Sequence, residues 1–225
     1  MPDDVVVGAG TLEVVMHSGF LTAGPDGNVV HSFHPAPAGW CCANHMLALD
    51  LEADRQGAAV HEAGHTVAAF TMGIHVVGIT LVTERIQHPC GLVHGVSGVT
   101  EIGSMAVPVD EYLTMLASGE AAHQRWLRDS GLHTPARAWA VERGALDDMS
   151  KALDVLREWV PGYDDTGYRQ LFWRSRPSAE ALVDARWERV LAVAGGLASR
   201  GWLSGEEASG LAGLPNPAEP DAQQD

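Results

Sequence analysis

Two histidines four residues apart, with a glutamate between them, constrain this chain more than any other stretch: His61-Glu62-Ala63-Gly64-His65. The surrounding run, Ala58 to Phe70, is rich in Ala, Val and Gly and reads as a buried helix. On a helix, residues four apart lie on one face, so both imidazoles can point at one metal ion. Glu62 is turned about 100° from His61 and can reach a water beside that metal without itself ligating. Two neutral imidazoles and one further ligand leave a tetrahedral Zn²⁺ with an open position, where the pKa of a water falls toward about 7. The pattern is loose by itself, and its setting tightens it. Ionisable groups on a helix of Ala, Val, Gly and Phe are costly to bury unless a metal or a network satisfies them. A solvent-facing polar stripe is the competing reading, and the apolar neighbours argue against it.

The chain has 225 residues, enough to bury a real core, and a formal charge of −15. That charge argues against nucleic acid or anionic lipid as a partner. No apolar run reaches the roughly 18 residues of a membrane span, and Met1-Pro2-Asp3-Asp4 is acidic where a secretion signal would be basic. Three cysteines, two of them adjacent, make no disulfide framework, so a cytoplasmic protein is expected.

Residues 1–50 carry no Lys or Arg and hold short apolar runs at Val5-Val6-Val7, Leu12 to Met16 and Val29-Val30. With Pro25-Asp26-Gly27-Asn28 as a turn, this reads as short strands or an irregular lobe. His31, His34, Cys41, Cys42 and His45 cluster here, but their spacing fits no zinc-ribbon or finger template. Structural thiols and ordinary loop histidines are expected, and a single metal per chain.

The motif helix is predicted over about Asp54 to Met72, stopped by Gly73. Two strands follow, His75 to Thr83 and Leu92 to Thr100, turning at Pro89-Cys90-Gly91. Beside the motif helix, an open strand edge can hold an extended peptide by main-chain hydrogen bonds. From Val109 the pattern turns helical, to Ser130-Gly131, then from Pro135 to Val160 with an interruption near Gly144. Tyr163 to Pro177 reads as irregular, Ser178 to Arg200 and Ser204 to Leu211 as helices, and the tail from Gly213 as disordered.

Several stretches, in order, resemble the peptidase domain of the FtsH family of ATP-dependent zinc metalloproteases. His61-Glu62-Ala63-Gly64-His65 has that family's Ala-Gly filling, and Val76 to Val82 resembles the strand after it. Leu116-Ala117-Ser118-Gly119-Glu120-Ala121-Ala122 is similar to the family's Leu-Ala-Gly-x-Ala-Ala-Glu helix, with His123 where Glu is usual. Gly144-Ala145-Leu146-Asp147-Asp148-Met149 resembles the Gly-Ala-x-x-Asp-Leu segment that supplies the third zinc ligand. Trp202-Leu203-Ser204-Gly205-Glu206-Glu207 is similar to the family's Thr-Leu-x-Gly-Glu-Glu. The resemblance covers about 57–212. No Gly-x-x-x-x-Gly-Lys-Ser/Thr loop is present, so a stand-alone peptidase domain without ATPase module or membrane anchor is expected.

The expected fold is α+β and mainly helical, with a zincin-like HExxH helix, a small β-hairpin or sheet and a C-terminal helical bundle. Residues 1–50 are expected to form an N-terminal lobe, 51–212 the zinc domain and 213–225 a disordered tail. The resemblance implies His61, His65 and Asp148 as zinc ligands and Glu62 as the base in hydrolysis of an amide bond, in a peptide or a small amide. Helical geometry turns Asp148 to the face of Ala145 and Ala152, and Asp147 to the face of Gly144, Lys151 and Asp154. Glu120 or His123 as the third ligand is the alternative. Two rival functions stand beside hydrolysis: a biosynthetic tailoring metalloenzyme acting on a small molecule, and a non-catalytic zinc-supported binding module. Glu62 counts against the second, because a structural site needs no base. A homo-oligomer and a separate ATPase partner are both compatible with the sequence.

Overall fold

The computed structural model describes residues 20–23, 29–88, 90–104 and 107–219. Three of the sequence features placed above, the Val5-Val6-Val7 and Leu12 to Met16 runs and the Pro25 to Asn28 turn, lie outside them. The described chain is mainly helical, with one three-stranded antiparallel sheet and a separate two-stranded hairpin.

Helix α2 (Leu51–Thr71) carries the His-Glu-x-x-His motif and is the centre of the packing. Asp50 caps it, its side chain accepting from Ala53 N at 2.8 Å, and Glu52 and Asp54 lie in its first turn, where acids suit the helix dipole. From Gly57 to Phe70 nearly every residue is buried, which marks a helix enclosed on all sides rather than one resting on a surface. Small residues allow that enclosure. A Cβ at Gly64 would stand 2.5 Å from the Ser118 carbonyl oxygen and 2.8 Å from Ala122 Cβ on α3 (Val109–Asp129), so only glycine lets the two helices meet there. Gly73, at φ +79°, turns the chain out of α2 toward the sheet.

Strands β3 (Val76–His88) and β4 (Gly91–Ile102) form a long antiparallel hairpin, paired from Val76 opposite Ile102 to His88 opposite Gly91. A third strand, β5 (Trp202–Ser204), joins the other side of β3 and gives the order β4-β3-β5. The sequence did not mark β5, since three residues are too few for an alternation to show. β4 is left as the outer strand beside α2, where Val96 N donates to Asp54 Oδ2 at 2.9 Å.

Helices α4 (Pro135–Gly144) and α5 (Leu146–Trp159) divide at Ala145, next to the expected interruption. Tyr163 to Pro177 is not irregular: it holds α6 (Asp165–Trp173) and the start of α7 (Arg176–Ala185). Asp164 caps α6 through Gly167 N at 2.8 Å, and Tyr168, Phe172 and Trp173 bury one face of it. The expected helix from Ser178 to Arg200 is two, α7 and α8 (Trp187–Arg200), broken at Arg186. The break lets Trp187 turn inward beneath the Arg125 guanidinium, 4.4 Å from its ring centre.

Nor is the start of the expected tail without structure. After α9 (Gly205–Ala212), the Asn216 carboxamide accepts from Val76 N and donates to Val76 O, both at 3.0 Å, and His75 Nδ1 lies 2.6 Å from Pro217 O. One amide side chain thus satisfies both backbone groups at the start of β3. The N-terminal lobe is likewise fastened to the helices. Strands β1 (Phe20–Ala23) and β2 (Val29–Ser32) pair, and the chain beyond them docks on buried Glu142 of α4. Glu142 accepts from Phe33 N at 2.5 Å and His34 N at 2.8 Å, while Arg137 donates to the carbonyls of Leu47 and Ala48.

Candidate metal centre

His61 and His65 lie one turn apart on α2, and their Nε2 atoms are 3.0 Å apart. Asp148, in the first turn of α5, sets Oδ2 3.0 Å from His61 Nε2 and 3.2 Å from His65 Nε2. For bonds of about 2.0–2.1 Å in tetrahedral geometry, ligand atoms stand about 3.3 Å apart, so this triangle is of the size one zinc ion spans. Asp148 is buried and Asp147 exposed, as the helix-face argument predicts. Neither alternative third ligand joins the group: Glu120 pairs with Arg176 at 2.7 Å, and His123 stands with its ring centre 6.3 Å from that of His61.

The chemistry of the donor set calls for a cation. His65 Nδ1 sits 2.9 Å from the Met115 carbonyl and donates to it, which turns the Nε2 lone pair toward His61 and Asp148. Three electron-rich atoms facing one point repel unless a proton or a metal lies among them. In the metal-free protein that cation is a proton. Burial alone would lower the pKa of His65, but the charge and hydrogen bond of Asp148 outweigh it and lift the imidazole to about 9. Burial would raise Asp148, and His65 and His61 instead hold it well below the usual carboxylate range. A metal entering this site displaces that proton.

Glu62 is buried beside the two histidines. Thr100 on β4 donates to its Oε2 at 2.7 Å, and Gly98 clears room for it, since a Cβ there would overlap Glu62 Cγ and stand 2.7 Å from Oε1. Gly119 does the same for the imidazoles: a Cβ on it would overlap His65 Nε2 and stand 2.7 Å from His61 Nε2. Sequence reasoning missed Gly98, Thr100 and Gly119 as parts of the site. The only signal for them was small residues on the elements that face the motif helix. His123, fully enclosed, has no hydrogen-bond partner at Nε2 among the described residues, and burial followed by His61 lowers its pKa to about 3.

His61, Glu62, His65, Thr100 and Asp148 line a cleft of about 440 Å³, with α2, α3 and α5 behind it and β4 along one side. That volume lies in the range of about 300–1,000 Å³ common to ligand sites. The N-terminal histidines and cysteines do not gather as one cluster. His31 stacks toward Trp173, His34 meets Glu142, and His45 Nδ1 lies 3.1 Å from Cys41 Sγ. No helix among the described residues is long and apolar enough to cross a membrane. Comparison with models of known protein families, and with curated proteins, finds no match for the chain.

Proposed function

We propose that the chain is a zinc-dependent hydrolase of the FtsH-peptidase type that cleaves an amide bond, in a peptide or a small amide. The observation that carries this reading is the convergence of His61 Nε2, His65 Nε2 and Asp148 Oδ2 within 3.0–3.2 Å of one another, with Glu62 buried in the same cleft. Zinc held by those three residues supplies Lewis acidity, lowering the pKa of a water and polarising a carbonyl. Glu62 takes the proton from the attacking water and returns it to the leaving nitrogen. Thr100 holds one of its oxygens, so the other faces the substrate. β4 offers an outer strand edge along the cleft, which suits an extended peptide bound through its main chain.

Glu62→Gln tests the reading, because the amide keeps the shape of the carboxylate and cannot accept the proton. Zinc content should stay unchanged, while hydrolysis of a peptide library, followed by mass spectrometry, falls at least ~100-fold. Equal cleavage by the variant and the parent would remove the hydrolytic mechanism.

A further inference from the structure

The sulfurs of Cys41, Cys42 and Cys90 lie within 4.8 Å of one another, although 48 residues separate Cys42 from Cys90. No disulfide joins them. Cys42 Sγ and Cys90 Sγ are 3.8 Å apart. A disulfide needs about 2.05 Å. Sulfurs bound at about 2.3 Å around a tetrahedral ion stand about 3.8 Å from each other, which is the spacing of Cys42 and Cys90. His45 Nδ1 lies 3.1 Å from Cys41 Sγ, outside the group of three sulfurs that are all close to one another. The backbone N–H of His45 also donates to Cys42 Sγ at 3.4 Å, the kind of contact that orients a thiolate ligand.

We propose that Cys41, Cys42 and Cys90 bind a second and structural Zn²⁺ that fastens the tip of the β3–β4 hairpin to α1 (Ala43–Leu47). Soft thiolates select zinc over hard cations. Cys90 and His45 are exposed, so the ion has a path in. Ala43, Asn44 and Leu47 of α1 line the same cleft as His61 and Asp148. Asn44 points its amide nitrogen at β4, where a Cβ at Gly95 would overlap it. A metal at the thiols therefore fixes one wall of the cleft from outside it. The proposal departs from the expectation of one metal per chain, and it shares no ligand with the hydrolase site.

The test is elemental analysis of the full chain purified under reducing conditions, followed by cobalt substitution. Two zinc ions per chain are expected, one lost in Cys90→Ser and the other in Asp148→Ala. With cobalt, the near-ultraviolet thiolate-to-metal charge-transfer band should persist in Asp148→Ala and vanish in Cys90→Ser. Cys41→Ser repeats the test from the other segment if the turn variant does not fold. A parent whose zinc content is the same as that of Cys90→Ser and Cys41→Ser would overturn the proposal. So would a band that survives both cysteine variants, or a Cys42–Cys90 disulfide found by non-reducing peptide mapping of the purified protein. Absence of zinc at the histidines alone would count against the hydrolase reading and leave this one standing.

Discussion

The His61–His65–Asp148 group is enclosed by helices, whereas Cys41, Cys42 and Cys90 meet at the solvent end of a hairpin. The difference lies in what holds the donors when no metal is present. In the interior, the Met115 carbonyl, Gly119 and the α2–α3 contact at Gly64 fix both imidazoles before any ion arrives. At the hairpin tip, the described contacts run among Cys41, Cys42, His45 and Cys90 themselves. A pre-set cage favours reaction chemistry, since its geometry costs nothing to reach. A cage that closes with its metal favours fastening, because binding energy becomes local folding energy.

The largest expected effect separates the two acids of α5. Asp148→Ala should weaken zinc binding at the inner centre at least ~100-fold, beyond the range for outer-shell partners, while Asp147→Ala leaves it unchanged. Competition with a fluorescent chelator measures both, and equal losses would dissolve the picture of a pre-set cage. Next comes Gly119→Ala, which crowds both imidazoles without replacing either. It should destabilise by ~1–3 kcal/mol, seen as a fall in midpoint of roughly 2–4 °C per kcal/mol, and weaken the metal as well. Gly144→Ala meets no atom within 4 Å and serves as the neutral control. A Gly119 variant as stable as that control would show that the interior yields to an added methyl group. The smallest effect is confined to the surface. Cys90→Ser should speed amide exchange at the hairpin tip and in α1 and leave α2 as protected as before. Protection lost throughout α2 would make the thiol group part of the core.

Legibility followed sequence distance. The motif helix was expected over Asp54 to Met72 and is found over Leu51–Thr71, because Asp50 caps the polar lead-in that composition alone left outside. The hairpin and the inward turn of Asp148 could also be read, since each rests on a local period. α6 could have been read: Asp164 and the Tyr168, Phe172, Trp173 spacing are helical signals hidden among polar residues. The meeting of Cys90 with Cys41, the pairing of β5 and the docking of Asn216 on Val76 could not, because each depends on where a distant segment lands.

The glycines at the centre change what a search for related chains should ask. Gly64 admits α3, Gly98 admits the Glu62 carboxylate and Gly119 admits both imidazole rings, and at each of them even a methyl group would collide. A pattern of histidines and glutamate alone therefore under-describes this site. The informative pattern is His-Glu-x-Gly-His followed by glycine on the facing strand and again on the facing helix. A chain with the ligands but with bulkier residues at those places would have to hold its helices farther apart, and so would build a different cage.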